Sequence, residues 1–260
     1  MKIDAVLPCS LFLIVNAILY VNRKIGNAVT QQFNEQKLGK HSVILLICTM
    51  GVVSTILAFL PNNAFQIMYL VTLSILLFSF VYLVAKKWSM AIGVPSILLL
   101  LYFFYWDNLL IFNFFAVILG LIITIFLSLF FSWNNTLLFT ALLTLLDVIQ
   151  VFATGIMGQI VEKVLQLELP VLIVLPTYPT SGWIALGVGD IFLSGLLAIQ
   201  TAKKYEYTAG RFSAVIMSVG MFIFELFAFN TGYVAHFPAT VVIVLSWMIS
   251  VVITHLRGHY

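Results

Sequence analysis

The sequence predicts an all-α membrane protein with nine transmembrane helices, its N-terminus outside and its C-terminus in the cytoplasm. Three observations carry this. The 260 residues are 63% hydrophobic and 8% charged, with a mean hydropathy of +1.15, whereas a soluble domain averages about 25% charged residues. That excludes a disordered chain, a nucleic-acid-binding surface and a disulfide-stapled secreted module. Nine apolar runs, most near the roughly 20 residues that a bilayer-crossing helix needs, follow one another between polar breaks. The basic residues then fall almost entirely on one side, as cytoplasmic loops require.

The runs are about 4–22, 42–60, 64–85, 89–106, 109–132, 135–160, 181–200, 210–230 and 237–256. An odd number puts the termini on opposite sides. Gly93 and Pro95 interrupt the fourth run, and Trp106-Asp107-Asn108 leaves only a tight turn before the fifth. Arg23, Lys24, Lys37, Lys40, Lys86, Lys87, Lys203, Lys204, Arg211 and Arg257 fall on one side, against Lys2 and Lys163 on the other beside Asp4, Asp107, Glu162 and Glu168. The first run reads as a retained span, because no small-x-small cleavage site precedes Asn22-Arg23-Lys24. The chain is one polytopic domain: 1–134 forms a scaffold of five spans and 135–260 carries the chemistry. Cys9 and Cys48 stand in no metal-ligand spacing, so neither metal, cofactor nor disulfide is expected.

An acidic residue at a bilayer centre costs about 2.5–3.5 kcal/mol on insertion scales, so each intramembrane carboxylate needs a reason. Asp147, Asp190 and Glu225 qualify. In the sixth span, helical spacing aligns Thr140, Thr144, Asp147, Thr154 and Gly158 on one stripe that should face protein or water. In the seventh, Gly187-Val188-Gly189-Asp190 and Ser194 put the carboxylate on a face with almost no side-chain bulk, where another backbone can approach. The plain alternative for each acid is a buried polar tether to a neighbouring helix, and Glu225 in Phe224-Glu225-Leu226 is read that way.

Asp147 and Asp190 on adjacent helices are the parts of an aspartic dyad. Two carboxyls a few ångströms apart do not both ionise easily; they share a proton, one acting as base on a water and the other as acid on a substrate carbonyl. Such a pair titrates as a unit. A third element, Phe237-Pro238-Ala239-Thr240, opens the ninth span, where proline also fits simply as a first-turn residue.

These residues resemble the intramembrane aspartyl proteases of the presenilin and signal peptide peptidase type, which have nine spans, an aspartate in the sixth, Gly-x-Gly-Asp in the seventh and Pro-Ala-Leu at the ninth. The match covers about 135–256. The stretch from Asp147 to Met157, with Glu168-Leu169-Pro170 and Leu175-Pro176, is closer to the signal peptide peptidase branch, and the compact loops suggest an archaeal homologue. The resemblance implies Asp147 and Asp190 as the catalytic pair, with Gly187 and Gly189 shaping the second and Pro238, Ala239 and Thr240 beside the active site. Two positions depart from the pattern. Leu146 stands where the family has tyrosine, and Thr240 where it has leucine.

A helical substrate must be unwound before water can attack it. Pro170, Pro176 and Pro179 bound a β-favouring run, 171–175, which is expected to pair with the unwound substrate as an added strand or to lie as a loop on the membrane surface. Expected partners are the bilayer and single-span transmembrane peptides with a cytoplasmic N-terminus, such as signal-peptide remnants, and no nucleic acid. The location is the cell membrane in a prokaryote or the endoplasmic reticulum in a eukaryote. Alternatives are a prepilin-peptidase-like protease, a proton-coupled transporter using Asp147, Asp190 and Glu225 as a relay, and a catalytically silent binder of transmembrane helices.

Overall fold

The structure, a computed structural model, describes residues 4–30, 37–105, 108–179, 182–231 and 238–257. Lys2, Trp106, Asp107 and Phe237, used in the reading above, lie outside them. The chain runs α1 (Val6–Thr30), α2 (Lys40–Phe59), α3 (Asn62–Ala85), α4 (Trp88–Tyr105), α5 (Leu109–Ser128), α6 (Trp133–Val148), a π-helical turn (Ile149–Ala153), α7 (Ile156–Gln166), β1 (Leu172–Pro176), β2 (Trp183–Gly187), α8 (Val188–Lys204), α9 (Tyr207–Thr231) and α10 (Ala239–Arg257). Among the described residues, seven helices are long and apolar enough to cross a membrane, in α1, α2, α3, α5, α6 with its π-helical turn, α9 and α10. A shorter apolar helix runs over Trp88–Phe104, with Pro95 inside it.

The bundle is built around α8, in which every residue from Ile191 to Thr201 is buried. A helix apolar on all sides belongs inside, and its neighbours α1, α5, α9 and α10 supply the walls. Close approach replaces hydrophobic drive when helices pack in lipid. A Cβ on Gly195 would come within 2.7 Å of Thr124 Cγ2 in α5 and 2.9 Å of Ile18 Cδ1 in α1. At the far end of α8, Gln200 Nε2 donates to the Ser128 and Phe131 carbonyls at 3.3 and 3.0 Å, and Lys203 Nζ to Ser128 at 3.0 Å. These donors meet carbonyls that the end of α5 cannot satisfy within its own helix. Trp247 Nε1 of α10 donates to Thr201 Oγ1 at 2.9 Å.

Two expectations are corrected. The sixth run is not one helix to residue 160: it ends in the π-helical turn, where Thr154 N–H reaches back five residues to Ile149 O at 3.1 Å. Gly155 then takes a positive φ of 64°, a conformation glycine adopts without Cβ cost, and α7 starts as a separate amphipathic helix. Gly158 therefore leaves the Asp147 stripe. Lys163 of α7 donates to the carbonyls of Leu57, Ala58 and Leu60, so a residue counted as a loop charge caps the C-terminus of α2.

The seventh run is the second correction. Residues 183–187 are strand, and the helix begins only at Val188. The all-α class itself fits, with one short hairpin added to the helices. β1 and β2 form an antiparallel hairpin in the register Leu172 to Gly187 through Pro176 to Trp183. Thr177 N–H to Gly182 O at 3.0 Å and Val188 N–H to Val171 O at 2.8 Å close the ladder at its two ends.

Hydrogen bonding alternates along an antiparallel pair, so Leu172, Val174 and Pro176 turn their backbone groups outward from β1. Asn113 of α5 meets Val174 there with both ends of its amide: Nδ2 donates to Val174 O at 2.7 Å, and Oδ1 accepts from Val174 N–H at 2.8 Å. One side chain thus occupies that edge as a strand would. Asp4 ties the hairpin to α1, its carboxylate accepting from Val6 at 3.2 Å, Leu7 at 3.4 Å and Tyr178 N–H at 2.9 Å.

Candidate functional site

Asp147 sits one residue before the end of α6, directly ahead of the π-helical turn. Such turns alter which direction successive side chains face. Leu146 packs toward α2, its Cδ1 lying 3.1 Å from where a Cβ on Gly51 would be. Gln150 Nε2 donates to Ser54 Oγ of α2. Asp147, one step of about 100° further round the helix, meets α10 instead: Thr240 Oγ1 donates to Asp147 Oδ2 at 2.5 Å.

Asp190 is the third residue of α8 and lies over the strand-to-helix junction. The Gly187 backbone N–H donates to its carboxylate, so the residue at the helix N-cap is satisfied by an acid three positions on, as in one half of a capping box. A Cβ on Gly187 would stand 3.0 Å from Asp190 Oδ2, so a side chain there would make the carboxylate shift by a few tenths of an ångström. Gly189 differs. It is exposed, and a Cβ added to it would meet nothing within 4 Å, so the space beside Asp190 is open. Asp147 is near enough to Asp190 to act on it directly as a charge.

Pro238 is buried and precedes α10, its carbonyl accepting from Val241 N–H at 3.1 Å. Helix α10 starts at Ala239, so the proline stands just before the first turn, not in it. Pro238, Ala239 and Thr240 therefore open the helix that reaches Asp147. The sequence-derived set converges here from α6, the β2–α8 junction and the start of α10. Glu225 does not join it. It is buried, neither carboxyl oxygen has a hydrogen-bond partner among the described residues, and the acid acting on it is Asp4. The tether to a neighbouring helix expected of Glu225 has no counterpart there. Thr140 Oγ1 and Ser194 Oγ are likewise buried without a partner among the described residues.

The outer edge of β2 leads straight to this place. The same alternation that turns Val174 toward Asn113 turns the backbone groups of Trp183, Ala185 and Gly187 away from β1. Gly187 N–H goes to Asp190, and no strand covers the rest among the described residues. The β-favouring run 171–175 lies in strand from Leu172 on, and β1 extends to Pro176; its partners are β2 and Asn113. The edge open to an incoming strand belongs to β2.

Asn113, Gln150 and Lys163 were missed as structural anchors of the site. The test applied to the acids, a polar group inside an apolar run, selects Asn113 and Gln150 equally well. No protein-family model matches this chain, and no curated protein sequence is significantly similar to it.

Proposed function

We propose that this chain is an intramembrane aspartyl endopeptidase of the presenilin and signal peptide peptidase type, crossing the membrane nine times with its N-terminus outside. The observation that carries the reading is the convergence of Asp147, Asp190 and the Pro238-Ala239-Thr240 turn, three elements distant in sequence, beside the open space at Gly189. The α4 and α8 helices complete the nine, and the ten basic residues on the proposed cytoplasmic side support the orientation.

In the reaction, water lies between the two carboxyls. The ionised carboxylate takes a proton from it, the water oxygen bonds to the scissile carbonyl carbon, and the protonated carboxyl gives its proton to the carbonyl oxygen. The resulting gem-diol collapses as the C–N bond breaks. The amide nitrogen receives the proton held by the first carboxyl and leaves as an amine, while a diol hydroxyl returns a proton to the second. One water is consumed, and the dyad ends as it began.

A transmembrane substrate offers its carbonyls only once its helix is opened, and its freed backbone then needs partners. The outer edge of β2 supports an added strand three to seven residues before Asp190, and strand addition of this kind makes main-chain hydrogen bonds independent of side-chain sequence. The substrate class follows from orientation: single-span peptides with a cytoplasmic N-terminus. A relay transporter fits less well, because Glu225 neighbours Asp4 and not the pair.

The test is cleavage of a single-span reporter by purified protein in lipid. Wild type yields a product that Asp147→Ala and Asp190→Ala do not, and the same peptide fused in the opposite orientation is cut far less. Identical product from wild type and both variants would overturn the reading.

A further inference from the structure

Several threonines of this chain's helices share one habit, although Thr140, without a partner among the described residues, and Thr208, bonded to Glu206, do not. Thr49, Thr72, Thr136, Thr144 and Thr201 each donate to the carbonyl four residues earlier in the same helix, at 2.8–2.9 Å. A hydroxyl spent that way is invisible to other helices. Thr240 departs from that habit. It is the second residue of α10, which starts at Ala239. Its hydroxyl reaches across to α6, where it meets Asp147 Oδ2 at 2.5 Å.

An ionised carboxylate is a stronger acceptor than a neutral carboxyl, so a hydroxyl that donates to a carboxyl group favours its ionised form. The two carboxyls are thereby made unequal. Asp147 receives a side-chain hydroxyl from α10, while Asp190 receives a backbone N–H of Gly187 from its own helix N-cap.

We propose that Thr240 is a positioning residue: its hydroxyl holds Asp147 as the proton-accepting carboxylate of the pair and leaves the shared proton on Asp190. This rests on the protease reading. Asp147 then takes the proton from water, and Asp190 protonates the substrate carbonyl. The hydroxyl also stands in for what Leu146 cannot supply, since that side chain is apolar and packs against α2 at Gly51.

Thr240→Val removes the hydroxyl at nearly constant volume, and Thr240→Ser keeps it. With the single-span reporter, Thr240→Val is expected to lower kcat by about 10- to 100-fold, the rate equivalent of one hydrogen bond to a charged group, with KM changed less than about threefold. The acid limb of its kcat/KM profile moves to higher pH, because the carboxylate form of Asp147 has lost a donor. Thr240→Ser retains kcat within about threefold of wild type and keeps the wild-type profile, a pattern that loss of packing alone does not give. If wild type cleaves and both variants share its profile, or if both are equally impaired, the hydroxyl has no such role and this inference falls while the protease reading stands. If wild type itself yields no aspartate-dependent product, the protease reading falls and takes this inference with it.

Discussion

Asn113→Ala isolates the anchor of the hairpin without touching either aspartate. The wild-type amide makes two hydrogen bonds to Val174, at 2.7 and 2.8 Å, and alanine makes neither. Each such bond is worth about 0.5–1.5 kcal/mol net. Val174 is only half-buried, so water can take part of their place and the lower half of the range applies to each. The pair then totals about 1–2 kcal/mol, or roughly a 5- to 30-fold rise in local opening, since each 1.4 kcal/mol is tenfold. Hydrogen exchange read at single amides is the assay. Val174 N–H, held by Asn113, should exchange about 5- to 30-fold faster in the variant. The amides of Ile173 and Leu175, which the register turns toward β2, should accelerate much less. Asn113→Asp keeps the acceptor and loses the donor, so it should fall between. A Val174 rate within about twofold of wild type in Asn113→Ala would show that the amide does not hold this edge.

Two further outcomes follow from the same geometry. Ala185→Pro removes an N–H that points away from β1, and proline is tolerated where a strand's N–H faces outward; the protein should fold with a near-normal thermal midpoint while kcat/KM for the reporter drops at least about tenfold, and unimpaired cleavage would exclude strand addition on β2. Lys163→Met strips a charged donor from three terminal carbonyls of α2, at a cost of about 1–2 kcal/mol; the thermal midpoint in detergent should fall, with Lys163→Arg recovering part of the loss, and an unchanged midpoint would remove the capping role.

Much of the architecture was legible because hydropathy reports burial in lipid directly. Helices α2, α3, α5, α9 and α10 begin and end close to the apolar runs that foretold them. The failures share one cause, which is that apolar content carries no period over short distances. Trp183-Ile-Ala-Leu-Gly187 is as apolar as the helix that follows, so its strand conformation became visible only through its pairing with β1. The break after residue 153 was hidden in the same way, and Gly155 was the one residue that marked it. Within the site, the two aspartates and the proline turn stood out because a charge in an apolar run and a proline at a helix start are local signals. The Thr240 to Asp147 bond joins residues 93 positions apart and has no local signature. Thr240, one of the two departures from the family's pattern, supplies the hydroxyl that meets Asp147.

The passage from β2 to α8 has no linker: Gly187 ends the strand and Val188 begins the helix. Strand register and the depth of Asp190 are therefore one quantity. Slipping β2 by two residues, the smallest shift that preserves which face is inside, would translate α8 by roughly 7 Å at about 3.3 Å per residue, more than a full helical turn of about 5.4 Å. Register is in turn referenced to α5, through the amide of Asn113 on Val174. The hairpin works as a gauge block set between two helices, and Asn113 is its datum. Moving that asparagine one turn along α5 and letting β1 follow would reset the level at which Asp190 stands, which on the proposed protease reading is a route to shifting the cleavage position without altering either carboxylate.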